Sequence, residues 1–318
     1  MKNLNTLLHN LLCFLLIMAS QYNLSAQSLC DYADTSFTVL HFTKTNGWDH
    51  NTRNQSADMF EEIGEDNNFT ITNTQDASIF DDLNALNAYS VIVFSNTSGS
   101  NLLSQSQKDN FEAYIAQGGS FIGIHAASDT YRTGWPYYNK LLGAIVQTSP
   151  NHTSSNHTNF MDHYSKHEVL DGLPDPWEKT EEYYYWDLNG GMIQEDSIGT
   201  LLKVRRTGNN EYDRERPITW LKTFPSGARS FYTALGHAQS NFTGDNNFRQ
   251  LLTNAVCWAA YDKDFFEIGG NNVKMQNTHL VISESGNSII MKSPNGSCHR
   301  MVIDNTGHLK MIPVKCVD

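Results

Sequence analysis

Short apolar runs alternate with amphipathic segments in the first part of the chain. Four of the runs, FTVLHFT, FTITNT, SVIVFSN and SFIGI, are predicted as buried strands at residues 37–43, 69–74, 90–96 and 120–124. Helical spacing of apolar residues predicts a helix over 54–64, and a capping-box sequence at 104–107 opens another. This alternation predicts a parallel sheet that is covered by helices on both faces.

The pattern becomes polar and rich in His, Tyr and Trp between residues 151 and 215. Extended segments at 180–186 and 200–206 are interpreted as strands which, with long loops, lie over one edge of the sheet. Apolar strands return at 216–221 and 230–237, and a last helix is predicted over 245–261.

Four short strands, LVIS, SIIMK, HRMVI and HLKMIP, follow near the C-terminus and are separated by Gly-Asn, Pro-Asn-Gly and Asn-Thr-Gly turn sequences. They predict a small β-meander over 272–318. The predicted fold class is therefore α/β, with a mainly parallel central sheet over residues 35–262 and a β-rich C-terminal appendage.

The first 26 residues have the composition of a secretory signal peptide: Lys2, then an apolar core, then Ser25 and Ala26 before the expected cleavage. We therefore expect an exported protein, periplasmic or extracellular. The apolar core is short for a membrane span, and no later segment offers one, so membrane insertion is not expected.

The chain is acidic, with 22 Lys+Arg against 34 Asp+Glu and a net charge of −12. This charge disfavours nucleic acids and anionic membranes as partners. A small neutral ligand such as a sugar suits the polar composition, although exported proteins often have this composition without binding sugars.

Four cysteines remain after the signal peptide, and they allow three pairings in an oxidising compartment: Cys30, Cys257, Cys298 and Cys316. A disulfide between Cys298 and Cys316 is favoured because both lie in the small β-rich segment. Cys257 lies in an apolar helical pattern and is predicted as a buried free thiol.

Several titratable and aromatic side chains follow strand ends, where open parallel sheets bind their ligands. They are Lys44, Trp48 and His50 after the first strand, His125 and Asp129 after the fourth, and His237 after a late strand. His125 lies in the small-residue turn where α/β hydrolytic enzymes place a nucleophile. Three imidazoles are thus expected at one rim.

Each histidine taken alone could equally be a structural residue, and His41, inside the first strand, is interpreted in that way. His152, His157, His163 and His167 lie in a polar region and are expected to be solvated. A divalent metal remains an alternative, because histidine-rich loops bind metals, but the HExxH spacing is absent.

Glu181 and Glu182 are not a glycosidase carboxylate pair, because neighbours in an extended segment point to opposite faces. At most one of them faces the site, and Asp129 is the expected partner carboxylate. The aromatic run at 183–186 suits either sugar stacking or core packing, and the sequence does not decide between them.

Several segments, in this order along the chain, resemble the trehalose-utilisation (ThuA-like) family: FTKTNGWDH, VIVFSNTSG, GGSFIGIHAASDT, WPYYNKLLGA, TEEYYYW, RPITW, SFYTALGH and AVCWAA. They cover residues 37–261. The resemblance implies a flavodoxin-like three-layer sandwich akin to class I glutamine amidotransferases. The catalytic cysteine of that group is missing from the turn after the fourth strand, so thiol amidotransferase activity is not expected.

The resemblance marks a set of site residues: His50, His125, Asp129, Glu182, Tyr184, His237 and, in the loop NHT, His152. The family more often has His-Pro where this chain has His152-Thr153 and His167-Glu168. Relatives occur in sugar catabolism, often beside enzymes that oxidise sugars at C3 or act on 3-keto-glycosides. The resemblance therefore implies a carbohydrate substrate.

The resulting hypothesis is a histidine-based lyase, isomerase or hydrolase that acts on oxidised (3-keto) sugars without a required cofactor. The expected catalytic residues are His50, His125, Asp129, Glu182 and His237, and the expected sugar contacts are Lys44, Trp48, Trp135, His152 and Tyr184. The alternatives are a carbohydrate-binding module without turnover and a metal-dependent glycoside hydrolase.

Overall fold

The computed structural model describes Cys30, residues 36–208 and 213–260, and five stretches further on, at 267–269, 272–274, 289–292, 296–303 and 307–314. The chain divides into two compact units, Met1–Lys263 and Asp264–Asp318. The predicted signal peptide and the predicted strand LVIS lie outside the described residues.

The described part of the first unit contains eleven strands: β1 (Thr38–Phe42), β2 (Thr70–Thr74), β3 (Val91–Ser95), β4 (Ser120–Ile124), β5 (Ala144–Ile145), β6 (His157–His163), β7 (Trp177–Glu181), β8 (Met192–Ile193), β9 (Gly199–Val204), β10 (Arg216–Thr223) and β11 (Arg229–Thr233). Nine of them form one sheet in the order β2–β1–β3–β4–β11–β10–β9–β6–β7, and β5 pairs with β8 separately.

One half of this sheet is parallel and consists of β2, β1, β3, β4 and β11. Strands β3 and β4 are buried along their whole length, which is why their sequences are continuous apolar runs. The flavodoxin-like prediction is confirmed for this half. The carboxyl ends of β1, β4 and β11 lie at a common edge, as the topology of parallel strands requires.

The other half, β10–β9–β6–β7, is antiparallel. We predicted that the segments between residues 151 and 215 lie over one edge of the sheet. This prediction is wrong for β6, β7 and β9, because these strands are hydrogen-bonded members of the sheet. Strand β6 replaces the expected solvated loop around His157 and His163. The sequence of β6 is polar because the strand is only partly buried. Its hydrogen bonds to the neighbouring strands, and not an apolar pattern, identify it as a strand.

Six α-helices occur in the described part of the first unit: α1 (Arg53–Asp66), α2 (Leu83–Leu86), α3 (Gln105–Ala116), α4 (Pro136–Leu142), α5 (Gln239–Thr243) and α6 (Asn246–Ala260). The predicted capping box at the start of α3 is confirmed, because Ser104 and Gln107 bond reciprocally. Short 3₁₀ turns cover Ala77–Asp81, His125–Asp129, Glu168–Leu170 and Glu195–Ser197. No helix in the described ranges is long and apolar enough to cross a bilayer.

A disulfide joins Cys30 to Cys257, with 4.9 Å between the two Cα atoms. The prediction of a free thiol at Cys257 is therefore wrong. Cys257 lies on α6, and its partner is 227 residues away, so no local sequence pattern could predict the pair. Cys298 is also disulfide-bonded. Cys316 lies outside the described residues, so its pairing with Cys298 stays a prediction.

The described stretches of the second unit contain a two-stranded pair, β12 (Glu267–Gly269) with β13 (Asn272–Lys274), and a three-stranded antiparallel sheet. The three strands are β14 (Ile289–Lys292), β15 (Cys298–Ile303) and β16 (Leu309–Val314), in that order. These three correspond to the last three predicted strands of the meander.

Candidate metal centre

Three imidazoles and one carboxylate converge at the common edge of the parallel strands. His50 follows β1, His125 follows β4, His237 follows β11, and Glu182 follows β7. One donor atom from each of these four residues lies within 4.8 Å of the others. The predicted convergence of three histidines is present, and the carboxylate that joins them is Glu182.

His125 is fully buried in a left-handed backbone conformation, with φ of +46°. A strained turn after a central strand is the geometry in which α/β enzymes expose a functional side chain. Its Nδ1 donates to the Ala234 carbonyl at 2.7 Å, so its Nε2 carries the lone pair. That lone pair accepts a hydrogen bond from the Tyr184 hydroxyl at 3.0 Å.

His50 and His237 each have a buried Nδ1 with no hydrogen-bond partner among the described residues. Their rings stand edge-to-face at 5.2 Å, and each is about 5 Å from the ring of His125. Burial, and then the nearby imidazoles, lower the pKa of His50 to about 2. Burial and His125 also lower the pKa of His237. Both rings are therefore neutral near pH 7, and they present nitrogen lone pairs.

The Glu182 carboxylate is the charged member of the cluster and is 5% exposed. Its oxygens lie 3.7 Å from His125 Nε2, 3.3 Å from His237 Nδ1 and 3.5 Å from His152 Nδ1. Burial alone would raise the pKa of Glu182, but the neighbouring imidazoles, His125 first among them, outweigh it, so the pKa is lowered. Glu182 is an anion at neutral pH.

This donor set fits a divalent transition metal. Zinc binds His nitrogens at about 2.0–2.1 Å and carboxylate oxygens at about 2.0–2.2 Å, and imidazole also suits copper, iron and nickel. The bond from His125 Nδ1 to a backbone carbonyl is the usual arrangement for a ligating histidine, because it fixes the tautomer that leaves Nε2 free. The two unpartnered Nδ1 atoms are buried polar groups that a metal ion would satisfy.

His152 and Tyr184 border the cluster, through contacts with Glu182 and His125. His152 Nδ1 donates to the Thr153 carbonyl at 2.5 Å. Burial, and then Glu182, raise the pKa of Tyr184 well above its usual range, so its hydroxyl stays protonated. Trp48 is 71% exposed in the loop that leads to His50.

Gly47 allows the loop that carries His50 to pack closely against the chain that follows β3. A Cβ atom at this position would lie 2.8 Å from the backbone nitrogen of Gly99. The Gly47 N–H donates to the Ser98 carbonyl at 3.2 Å, and the Ser98 hydroxyl donates to the Trp48 carbonyl at 2.6 Å. The chain that follows β3 therefore holds this loop in place.

Three predicted site residues make other contacts. Asp129 forms an ion pair with Arg132, three residues along the chain. Lys44 donates to the Leu102 carbonyl at 2.9 Å. Trp135 is 3% exposed, and its Nε1 donates to Glu112 at 2.7 Å while its ring stacks on Tyr138. The structure thus places Trp135 in the hydrophobic core, where its faces are covered by other aromatic rings.

Sequence reasoning missed two supporting residues. Asn96 follows β3, and its Nδ2 donates to the Gly236 carbonyl at 2.9 Å and to Thr52 at 2.8 Å. The rule about strand ends could have found it. The Tyr232 hydroxyl donates to the His125 carbonyl at 2.8 Å. Tyr232 lies inside β11 and no sequence signal distinguished it from an ordinary core residue.

Two histidines outside the cluster, His41 and His167, have local roles. His41 is fully buried, with Nδ1 2.7 Å from the Asn73 amide oxygen and Nε2 2.8 Å from the Ser56 hydroxyl, so its structural interpretation is confirmed. His167 accepts a hydrogen bond from the Val169 N–H and caps a 3₁₀ turn.

Two solved structures share this fold over most of their length. A ThuA-like protein from Bacteroides uniformis is 24% identical, with a TM-score of 0.58 over 72% of this chain and 93% of that one. A second, from Parabacteroides merdae, is 20% identical, with a TM-score of 0.55 over 71% and 90%. No curated protein matches the chain in sequence.

The model of one protein family, described as trehalose utilisation, matches residues 38–259. The matched region contains every strand of the nine-stranded sheet and all four residues of the cluster. The chain therefore belongs to the ThuA family of trehalose-utilisation proteins.

Proposed function

We propose that this protein is an exported, metal-dependent enzyme of carbohydrate utilisation, whose substrate is an oxidised (3-keto) sugar. Membership of the trehalose-utilisation family supports the carbohydrate setting. One observation carries the metal dependence: four donor atoms from His50, His125, Glu182 and His237 within 4.8 Å of one another, two of the histidines having an otherwise unpartnered Nδ1.

The chemistry of a 3-keto sugar suits this donor set. The ketone at C3 acidifies the hydrogen at C2, and a divalent cation would polarise the ketone and stabilise the enolate. A base takes the C2 proton, and the electron pair of that C–H bond forms the enolate. The enolate then expels the C1 oxygen, which leaves with a proton from an acid (elimination), or it is reprotonated at another carbon (isomerisation).

Two side chains beside the four ligands are placed for these proton transfers. His152 is the candidate base: its side chain is 28% exposed, and its Nδ1 bonds the Thr153 carbonyl, which leaves Nε2 to face a substrate. Tyr184 is a protonated acid, kept so by burial. The exposed ring of Trp48 offers an apolar face for a sugar.

Export is proposed from the first 26 residues and is supported by the disulfide between Cys30 and Cys257, since such bonds persist in oxidising compartments. The net charge of −12 agrees with a neutral substrate rather than a polyanion.

A metal-free enzyme is the second candidate, and one contact favours it. The His125 Nε2 lone pair, which a metal would need, already accepts the Tyr184 hydrogen bond at 3.0 Å. In this version His125 and His237 would themselves transfer the protons.

The test combines metal analysis with turnover. The mature protein is analysed for bound metal and incubated with disaccharides and their 3-keto derivatives, before and after chelation. Glu182→Gln is compared with Glu178→Gln, a matched change at an exposed position of the neighbouring strand β7.

We expect one divalent ion per chain, consumption of the 3-keto sugar that chelation abolishes and metal restores, and loss of both properties only in Glu182→Gln. Full turnover by the metal-free protein would favour the imidazole mechanism. Sugar binding without consumption, with or without metal, would favour a binding module instead.

A further inference from the structure

Two adjacent carboxylates have opposite surroundings at the end of β7. Glu182 faces the imidazoles, whereas Glu181 is 2% exposed and its oxygens accept from backbone N–H groups and an amide. The proton transfers proposed for the site do not involve Glu181. A buried carboxylate is costly unless hydrogen bonds satisfy it, so its partners indicate what it does.

Glu181 accepts four hydrogen bonds. The backbone N–H groups of Gly236 and His237 donate to it at 3.0 and 3.1 Å, the Asn241 amide at 2.9 Å, and the Glu182 N–H at 3.1 Å. Two of these donors lie in the loop that carries a proposed metal ligand.

The charge of Glu181 is balanced by Lys179. Lys179 Nζ lies 3.7 Å from Glu181, and its side chain is 4% exposed. Lys179 also donates to Asn241 at 2.7 Å and to Asp245 at 2.5 Å, so it is itself fixed to α5 and the start of α6. The Glu181 carboxylate is thereby held by Lys179 as well as by its four hydrogen-bond donors.

The His237 ring depends on its backbone for its position, because its Nδ1 has no hydrogen-bond partner among the described residues. The preceding Gly236 has φ of +109°, and a Cβ there would approach Ile124 and Phe248 to 3.0 Å. Asn96 holds the Gly236 carbonyl, and Glu181 holds the two N–H groups. Backbone contacts therefore aim the ring.

We infer that Glu181 is a positioning residue, which fixes the loop after β11 so that the His237 imidazole faces Glu182 and the proposed metal. Only the measurement of metal affinity depends on the proposed function; the position of the His237 ring can be tested without metal. Outer-shell residues of this kind change metal affinity by about 10–100-fold when they are replaced.

Glu181→Gln tests the inference with nearly unchanged volume. The amide keeps one acceptor oxygen and turns an NH₂ group toward backbone donors, so at least one of the two loop bonds is broken. Glu178→Gln, on the exposed face of the same strand, is the control. Cobalt(II) affinity is measured by absorption titration, in the wild-type chain and in a His237→Ala background.

We expect Glu181→Gln to weaken cobalt binding about 10–100-fold and Glu178→Gln to leave it unchanged. In the His237→Ala background the Gln change should have little further effect, because both act through one imidazole. Wild-type affinity in a folded Glu181→Gln protein overturns the inference. An equal loss in both backgrounds also overturns it, since Glu181 would then act through the Glu182 backbone.

A second measurement separates this inference from the metal proposal. The imidazole ¹⁵N resonances of His237 are compared in metal-free protein, and they should shift in Glu181→Gln but not in Glu178→Gln. If the wild type binds no cobalt, the metal proposal fails while this comparison still decides the role of Glu181. Unshifted His237 resonances overturn it. If circular dichroism shows that Glu181→Gln does not fold, Glu181→Asp replaces it in both measurements, with the same outcomes.

Discussion

The two halves of the nine-stranded sheet contribute different groups to the site. The parallel half supplies three imidazoles, each beyond the carboxyl end of a strand. The antiparallel half supplies Glu182 and Tyr184 from irregular chain that follows β7.

The two halves also position these groups in different ways. In the parallel half, strand register brings the strand ends together: Ser95 of β3 and Thr233 of β11 both lie beside Ile124, so the residues after each strand are neighbours. In the antiparallel half, buried polar bonds hold the chain. Glu181 holds the loop of His237, and Arg216 donates to the Tyr184 carbonyl at 2.7 Å. Topology thus brings the imidazoles to one edge, and buried polar bonds from the antiparallel half fix the loop of His237 and the chain at Tyr184.

The largest effect is expected from His125→Ala, which removes the central imidazole of the parallel half. Activity on the 3-keto sugar should fall by roughly 10²–10⁴-fold, as expected when a group essential to catalysis is removed. The protein should still fold, because the substitution breaks two buried hydrogen bonds, to Ala234 and from Tyr184, each worth about 1 kcal/mol. Steady-state kinetics and circular dichroism check this, and an unchanged rate would remove His125 from the mechanism.

The antiparallel half should be most sensitive at Asp213. Its carboxylate bonds Arg216 at 3.0 Å, and both side chains are almost fully buried. Asp213→Ala leaves the guanidinium without this partner, and we expect a loss of about 3–5 kcal/mol in the free energy of unfolding. Denaturant titration measures it. A loss below about 1 kcal/mol, the usual value of an exposed pair, would show that buried charge does not hold this half together.

A smaller, pH-dependent effect is expected from His41 in the parallel half. Burial lowers its pKa to about 4 in the folded state, although the bond to Asn73 opposes this. The unfolded chain therefore binds a proton at higher pH than the folded chain does, and stability falls as the pH drops from about 6.5 toward 4.

For His41 alone the loss between pH 7 and pH 5 should be about 2 kcal/mol. Unfolding free energies at the two pH values measure it in the wild type and in His41→Asn. The variant is expected to be less stable at pH 7 but to lose less on acidification. An equal loss in both proteins would assign the acid sensitivity to other groups.

The smallest effects should distinguish two tryptophans. Trp135→Phe keeps an aromatic ring in the core and removes the bond to Glu112, so stability should fall by about 1 kcal/mol with unchanged kinetics. Trp48→Ala, at the exposed position, should leave stability unchanged and raise KM. A raised KM in Trp135→Phe would support the sequence-based expectation that Trp135 contacts the sugar.

Much of the site was predictable from the sequence, because strand ends in a parallel sheet meet at one edge. His50, His125 and His237 were found by this rule, and the resemblance to the ThuA family added Glu182 and Tyr184. Asp129 satisfied the same rule, but its carboxylate pairs with Arg132, a local ion pair that competes with a role beside the imidazoles. Trp135 stays a predicted sugar contact, although its ring packs in the hydrophobic core, because an aromatic residue has the same sequence pattern whether it packs inward or faces a ligand.

The sequence by itself determined that strands and helices alternate and that three histidines follow strand ends, since apolar periodicity and the succession of elements along the chain are local properties. Only the tertiary structure decided that Cys257 pairs with Cys30, that β6, β7 and β9 extend the sheet, and that Glu182 rather than Asp129 joins the imidazoles. These features depend on contacts between residues far apart along the chain, and hydrogen-bond and charge partners at such distances leave no periodic pattern in the sequence.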